Sequence, residues 1–415
     1  MSRLGWFEGF GIEIEYMIVD ADTLDIAPIA DKVLAAAAGG EAVNEVERGA
    51  IAWSNELALH LIELKTNGPA RTLDGLERSF QADAGVINDI LRHHGARLLP
   101  GSMHPWMDPD TQTQLWPYGY NPIYEAYDRI FSCRGHGWSN LQSMQINLPF
   151  GDDDEFGRLH AAIRAALPIL PALAASSPLV DGRPSGFMDS RMEYYRTNSA
   201  RIPSITGAVV PEPVFTEADY REQIFGRMYL DVAPLDPLGL LREEWLNSRG
   251  AIARFDRSAV EIRIIDSQEC ALADMAVAQT VCALVRALGE EAWCGLDALK
   301  ALAVEPLAHV LHLCNRDAEA ALIEDRALLS ALGCTHHASR RAGRLWADLI
   351  ERLSARQSFP AEIERALETM LSQGTLARRI LRALPEPGKR SAQRRLYARL
   401  ADHLAAGTLF RPDPG

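Results

Sequence analysis

Four short stretches of this chain place ionisable or amide residues two apart among aliphatic neighbours: Glu13 and Glu15, Glu63 and Lys65, Gln145 and Asn147, Glu261 and Arg263. In an extended chain, side chains at i and i+2 project to the same side, roughly 7 Å apart. Each stretch therefore reads as a strand with one aliphatic face and one polar face. The recurring residue on the polar face is glutamate, supported by amides and two cations. Carboxylates gathered on one face repel each other and need cations to stay ionised together. Hard oxygen ligands of this kind suit Mg2+ or Mn2+ rather than zinc. An acidic concave face holding such ions is in turn a seat for nucleotide phosphates, which complete the ligand shell. One such pair alone is more often a solvated strand face. Four of them, each with an aliphatic reverse side, make a shared site and a solvated face equally good readings of the spacing.

Glu56 raises a question of parity. It lies seven residues before Glu63, so strict alternation puts the two on opposite faces; either Glu56 precedes the strand or a bulge re-aims it. The histidines carry less. His60 alternates with Leu59 and Leu61, which favours a core or supporting position, whereas His104 and His136 stand in loops that could equally face a site or not. Arg183, Arg191, Arg196 and Arg201 cluster in one segment of an acidic protein. They are either surface ion pairs or a clamp for phosphate or carboxylate, which guanidinium geometry favours. There is no GxxxxGK[ST] loop, no GxGxxG after a strand, no HExxH and no GxSxG. If ATP is used, metal and cationic clamping must do what a glycine-rich cradle does elsewhere.

The elements that must position these residues follow from periodicity. Strands are predicted at Gly11–Asp20, Asn55–Thr66 (closed by Asn67-Gly68-Pro69), Leu141–Phe150 and Ala259–Asp266, with a short one opening at Ala96. A helix is predicted over Asp74–His94, with an Asp74/Glu77 capping box and Gly95 ending it. Tyr124–Cys133 reads as a helix or ordered turn. Phe156–Ala175 reads as an apolar helix kinked by Pro168 and Pro171. Trp106–Asn121 and Asp181–Pro213 read as loops that would shape a substrate pocket. Ala271–Leu288, Ala301–Leu332 and Ala338–Ala406 carry helical periodicity.

The bulk properties agree with a folded, non-fibrous protein. The chain has 415 residues, 47% hydrophobic and 24% charged, with 42 Lys+Arg against 56 Asp+Glu. A net charge of −14 argues against a nucleic-acid or anionic-membrane surface. The six cysteines show no metal or CxxC spacing, which is expected of free thiols in a reduced compartment. With no leader-like apolar segment at Met1–Tyr16 and no uninterrupted apolar run of 18 residues, a cytoplasmic protein is expected.

Taken in order, GIEIEYMIVD, NELALHLIELKT, GSMHP, CRGHGWSNLQSMQINLPF, LPILPALAASSPLVDGRPSGFMDSR and AVEIRIID with its Ala-rich sequel resemble glutamate–cysteine ligase family 2, carboxylate–amine ligases of the glutamine-synthetase superfamily. The likeness covers about residues 10–290. It implies an α+β fold: a curved antiparallel sheet forming a glutamine-synthetase-like open barrel, backed by helices. The catalytic region would occupy 1–290, and a helical region, 291–415, would pack on it. It also implies ATP-dependent formation of a γ-glutamyl-type amide through an acyl phosphate, with two or more Mg2+ (or Mn2+) ions. By that likeness Glu13, Glu15, Glu56, Glu63 and Glu261 hold metal and bridge phosphate, and Arg263 stabilises the phosphoryl group in transfer. Lys65, Arg191, Arg196 and Arg201 are then expected at the nucleotide. Where the family commonly has a histidine, this chain has Gln145, whose amide oxygen can bind magnesium but cannot titrate. A guanidino or amine kinase on a similar sheet, or a non-catalytic ATP- or metal-binding protein, stand as alternatives. The expected partners are small amino-acid-like carboxylates and amines. A homodimer is expected only from the frequency of symmetric assemblies.

Overall fold

The computed structural model describes residues 3–384 and 386–412. Its centre is an eight-stranded antiparallel sheet that does not close. The strands are β1 (Gly11–Asp20), β2 (Glu45–Arg48), β3 (Ile51–Asn55), β4 (Leu61–Thr66), β5 (Ala96–Leu99), β6 (Ser143–Pro149), β7 (Ala251–Arg254) and β8 (Ala259–Asp266). Their order is β2-β3-β4-β1-β6-β8-β7, with β5 paired to the far half of β1. β1 and β8 have the bounds that alternation predicts. The stretch read as a single strand from Asn55 is two strands joined by a turn over 56–60, so β3 ends where that strand was expected to begin.

Alternation sorts the side chains onto two faces. Ile12, Ile14, Ile62, Leu64, Ile146, Leu148, Val260 and Ile262 are fully buried in one large apolar cluster. Burying one such side chain stabilises the fold by about 2 kcal/mol. This face is covered by α1 (Leu76–Arg92), α2 (Asn121–Phe131) at its margin, α3 (Asp153–Ala166), and the Ala-rich α5 (Ala271–Gly289), which follows α4 (Ser190–Asn198) in the chain. The small side chains of α5 let it contact α1, α3 and the later helices α6 (Ala342–Ser354) and α7 (Ala361–Gln373) at once. α5 is long and apolar enough to cross a membrane, with a mean hydropathy of 1.5, but it is 89% buried inside the protein and interrupted by Asp274 and Gln279. It is the core helix.

The opposite face is polar near Glu13 and Glu15 and becomes apolar beyond them. There Met17, Val19, Leu61 and Leu99 meet Leu376 and Ile380 of α8 (Leu376–Arg382) and Leu396, Tyr397 and Leu400 of α9 (Arg390–Ala406). The C-terminal helices thus straddle the sheet, α6 and α7 on one side, α8 and α9 on the other. A fully buried ion pair, Arg379 with Glu269, fastens the second pair. Arg379 Nη1 also donates to the Phe410 carbonyl at 2.6 Å, and the Phe410 N–H donates to Glu269 at 3.2 Å.

Three local expectations change, the first being that the stretch 181–213, expected as a loop, carries the helix α4. The Asp74/Glu77 capping box does not form: α1 starts after Gly75, whose φ of +87° breaks the approach, and the Asp74 N–H donates to Thr72 Oγ1 instead. Gly95 does take the left-handed conformation beyond the helix end, with φ +65°. The apolar helix after residue 153 is broken at Pro168 and Pro171 into α3, a 3-10 turn and a short helical turn over 171–174.

Candidate active site

Strand register gathers the polar residues into rows. Glu13 on β1 stands opposite Lys65 on β4 and Gln145 on β6, and Glu15 stands opposite Glu63. On β8, Glu261 pairs with Asn147 of β6. Glu56 lies in the turn just before β4 and so escapes the strand's alternation. Its carboxylate oxygens and those of Glu15 and Glu63 come within 4.8 Å of one another. The structure therefore brings five acids, Glu13, Glu15, Glu56, Glu63 and Glu261, to one face of the sheet.

Three of these acids, Glu13, Glu15 and Glu63, are held by short hydrogen bonds. Glu15 accepts from the Ser143 N–H at 2.7 Å, Ser143 Oγ at 3.1 Å and Gln145 Nε2 at 3.1 Å. Glu63 accepts from Ser54 Oγ at 2.6 Å, and Glu13 from Asn147 Nδ2 at 2.9 Å. Gln145 thus spends its donor on Glu15, leaving Oε1 as its only atom for a cation. Lys65 Nζ lies 2.7 Å from Glu45 and 3.5 Å from Glu63.

These hydrogen bonds do not offset the crowding of negative charge. Burial, then the charges of Glu63 and Glu261, push the Glu13 carboxyl well above its ordinary value. Burial and the charges of Glu15, Glu63 and Glu13 do the same to Glu56. Glu15 is pushed up to about 7, by burial first and Glu63 second. Lys65 responds in the opposite sense: burial disfavours its charge, but Glu63, Glu45 and Glu13 outweigh burial and hold it cationic. A cluster of this kind is short of positive charge. Its donors are all oxygens, as Mg2+ and Mn2+ require. One carboxylate oxygen each from Glu15, Glu56 and Glu63 lies within 4.8 Å of the others, a spacing from which side-chain rotation could bring three oxygen ligands onto one such ion.

Glu261 has a different environment. Between Ile262 and Ile265 the β6–β8 register slips, a bulge that sets Arg263 and Ile264 against Gln145. Arg263 turns back onto Glu261, donating from Nε at 2.8 Å, and also reaches the Asn247 carbonyl at 3.1 Å. Arg254 of β7 approaches the other carboxylate oxygen at 3.3 Å. Burial works to raise this carboxyl, but the two guanidiniums outweigh it and hold Glu261 below the usual range.

The remaining arginines divide. Arg191, at the start of α4, is 1% exposed and pairs with Asp266 at 2.6 Å, while its charge is felt by Glu15. Arg196 lies on another flank of α4, half exposed, paired with Glu193. Arg201 is exposed and donates to the Ile130 carbonyl at the end of α2 at 2.8 Å. Neither Arg196 nor Arg201 joins the acidic cluster, because both are already engaged on the outer surface. His60 and His104 are buried and bonded to the carbonyls of Ser139 and Leu24. His136 contacts Asp181 at 3.2 Å.

Sequence spacing missed Ser143, Arg254 and Asp266, whose importance arises across strands. Asp266 accepts from Ser177 Oγ, the Ser176 N–H and Arg191. The only available signal was their position on or beside strands already selected. A cleft of about 1360 Å3 opens beside the cluster, walled by Glu13, Lys65 and Asn147 on one side and Asp256 and Arg257 on another.

This architecture has counterparts. The model of glutamate–cysteine ligase family 2 matches residues 9–399. An uncharacterised protein of Archaeoglobus fulgidus is 36% identical over 281 residues, spanning 68% of this chain and 75% of its own. A Nocardioides protein carried under the provisional name glutamate–cysteine ligase 2-1 is 29% identical over 68% of this chain and 67% of its own. Among solved structures, the glutamate–cysteine ligase of Francisella tularensis, in complex with AMP, superposes with a TM-score of 0.59 at 14% identity, over 97% of this chain and 89% of that one. The bifunctional glutathione synthetase of Pasteurella multocida gives 0.60 at 15% identity; this chain covers 96% of its own length and 53% of that larger protein. At these identities the structures establish the fold alone. The chain belongs to glutamate–cysteine ligase family 2, a family of ATP-dependent ligases that form C–N bonds.

Proposed function

We propose that this member of glutamate–cysteine ligase family 2 activates a small carboxylate with ATP and passes the acyl group to an amine, forming a γ-glutamyl-type amide. The observation that carries this reading is the pairing, on one sheet face, of a cation-deficient cluster (Glu13, Glu15, Glu56, Glu63) with an arginine-neutralised glutamate (Glu261). Mg2+ or Mn2+ held by Glu13, Glu15, Glu56, Glu63 and Glu261, with Gln145 Oε1 at hand, would supply charge neutralisation for the triphosphate. Lys65 adds a fixed positive charge at the cleft edge, and Arg191 balances Asp266 and Glu15 behind the face. Arg263, held by Glu261 and the Asn247 carbonyl, has a planar guanidinium suited to phosphoryl oxygens in transfer.

The substrate carboxylate oxygen bonds to the γ-phosphorus as the bond to the β,γ-bridging oxygen breaks, releasing ADP. The amine then bonds to the acyl carbon, loses a proton, and phosphate leaves with the acyl–oxygen bond. Residues of the chain position reactants and neutralise charge rather than form covalent bonds. Residues 1–290 would carry this chemistry, with the later helices bracing it.

The test is to incubate the purified protein with ATP, Mg2+ and a pool of amino acids, following ADP and products by mass spectrometry. An amide whose appearance needs both substrates, and which vanishes in Glu13→Gln and Glu261→Gln, is expected. Unchanged turnover in both variants rejects the site. A stable phosphorylated product without amide assigns a kinase instead.

A further inference from the structure

A second cavity, of about 320 Å3, lies on the helical side of the sheet. That size is at the lower end of small-molecule sites. One stripe of α5, Gln279, Cys282, Ala283 and Arg286, forms a wall at helical spacing i, i+3, i+4, i+7, and Arg71, Asp74 and Ser358 surround the mouth. Phe7, Phe10 and Arg71 line this cavity and the catalytic cleft alike, so they are a partition between the two.

The cavity wall carries two guanidiniums, beside neutral groups of Thr72, Gln279, Gln357 and Ser358 that can donate or accept. Among the described residues Arg71 has no ion pair or hydrogen bond, and Arg286 makes none either, its guanidinium resting 4.5 Å from the Phe7 ring centre. Gln279 is 5% exposed, and its Nε2 has no acceptor. A half-turn of that amide exchanges its nitrogen and oxygen and offers the donor to the cavity. Among the described residues lining it, Asp74 is the single carboxylate against two guanidiniums. A buried donor without an acceptor costs on the order of 1–3 kcal/mol, and a ligand that supplies the acceptor recovers it. Cys282, pushed up to about 12 by burial, stays a neutral thiol and does not oppose an anion.

We propose that this cavity is a second ligand site, for a small anion bearing a carboxylate or phosphate group, gripped by Arg286 and Arg71 with the Gln279 amide at its inner end. The acidic group pairs with the guanidiniums, and a short apolar body lies along Phe7, Phe10 and Leu73. Because the partition is shared, an occupant bears directly on the wall of the catalytic cleft. The site stands independently of the ligase reaction proposed above.

The experiment is calorimetric titration of the metal- and nucleotide-free protein with inorganic phosphate and, separately, with succinate. Saturable binding of at least one probe is expected, weakened about tenfold or more by Arg286→Met, the loss for one charged hydrogen bond. Arg286→Lys, which keeps the charge, should retain most of the affinity. Arg71→Ala changes an exposed side chain that cannot unfold the protein, and it should weaken binding alone if Arg286→Met misfolds. Phosphate responding and succinate not assigns a phosphate ester; the reverse assigns a carboxylate. Binding that survives Arg286→Met and Arg71→Ala but is lost in Arg263→Met belongs to the catalytic face and overturns the proposal, as does failure of both probes to bind by about 10 mM, tenfold weaker than a millimolar site.

Discussion

Two halves of one polar face solve the same electrostatic problem in opposite ways. Glu261 is bracketed by Arg254 and Arg263 and stays anionic on the chain's own charges. Across the sheet Lys65 reaches Glu63 but is divided with Glu45, and Arg191, which tempers Glu15, is already paired with Asp266. The first half is complete as folded. The second has a deficit of positive charge, which the proposed metal ions would fill.

The strongest way to break this contrast is to remove one acid from each half. Glu15→Gln and Glu261→Gln should each lower turnover by about a thousandfold or more, as expected when charge stabilisation of phosphoryl transfer is lost. Their stabilities should diverge. Glu15→Gln relieves repulsion and should raise the melting temperature of the metal-free protein. Glu261→Gln strands two guanidiniums and should cost roughly 3 kcal/mol. Matching shifts of the same sign in thermal unfolding would show that the halves do not differ.

Acidity sharpens the contrast by a smaller effect. Glu15 is pushed up to about 7 by burial and then Glu63, well above its unfolded value of about 4.3. A carboxyl raised on folding contributes stability that is complete below its unfolded value and disappears as pH rises through the folded one. The metal-free melting temperature should therefore decline between about pH 5 and pH 7, and saturating Mg2+ should flatten that slope. A metal-free profile without the decline removes the premise. The smallest effect is expected from Arg196→Ala, whose partner is a neighbour on the same exposed helix flank. Turnover should stay within about twofold, since an exposed i,i+3 pair contributes little; a large rise in KM for ATP would return Arg196 to the nucleotide.

How far the sequence reached follows from the range of the interactions involved. β1 and β8 were legible because long alternation of Ile and Val against Glu leaves one register that buries the aliphatic row. β7 and β2, four residues each, have too little periodicity to declare themselves and exist by pairing with neighbours. The position of Glu56 needed the turn at 56–60, which alternation through Leu57, Leu59 and Leu61 disguised. Glu261 could be chosen from its spacing to Arg263, a local relation, whereas Arg254 reaches it only through β7–β8 pairing. The capping box failed because a left-handed glycine at position 75 competes with the cap for the same turn. The cluster of arginines misled in part: composition places Arg191, Arg196 and Arg201 together, but helix rotation sends Arg191 inward and Arg196 out.

The clasp of Arg379 and Glu269 on Phe410 has a temporal consequence. Glu269 lies three residues beyond the end of β8, yet it waits for a cation 110 residues later and a backbone 141 residues later. Until that interval has been synthesised the carboxylate has neither partner and stays in water, and the α8–α9 cover of the sheet cannot lock. Final closure of this face is therefore a late event of synthesis, deferred until residue 410 has emerged, and the nascent sheet must tolerate an uncovered flank until then.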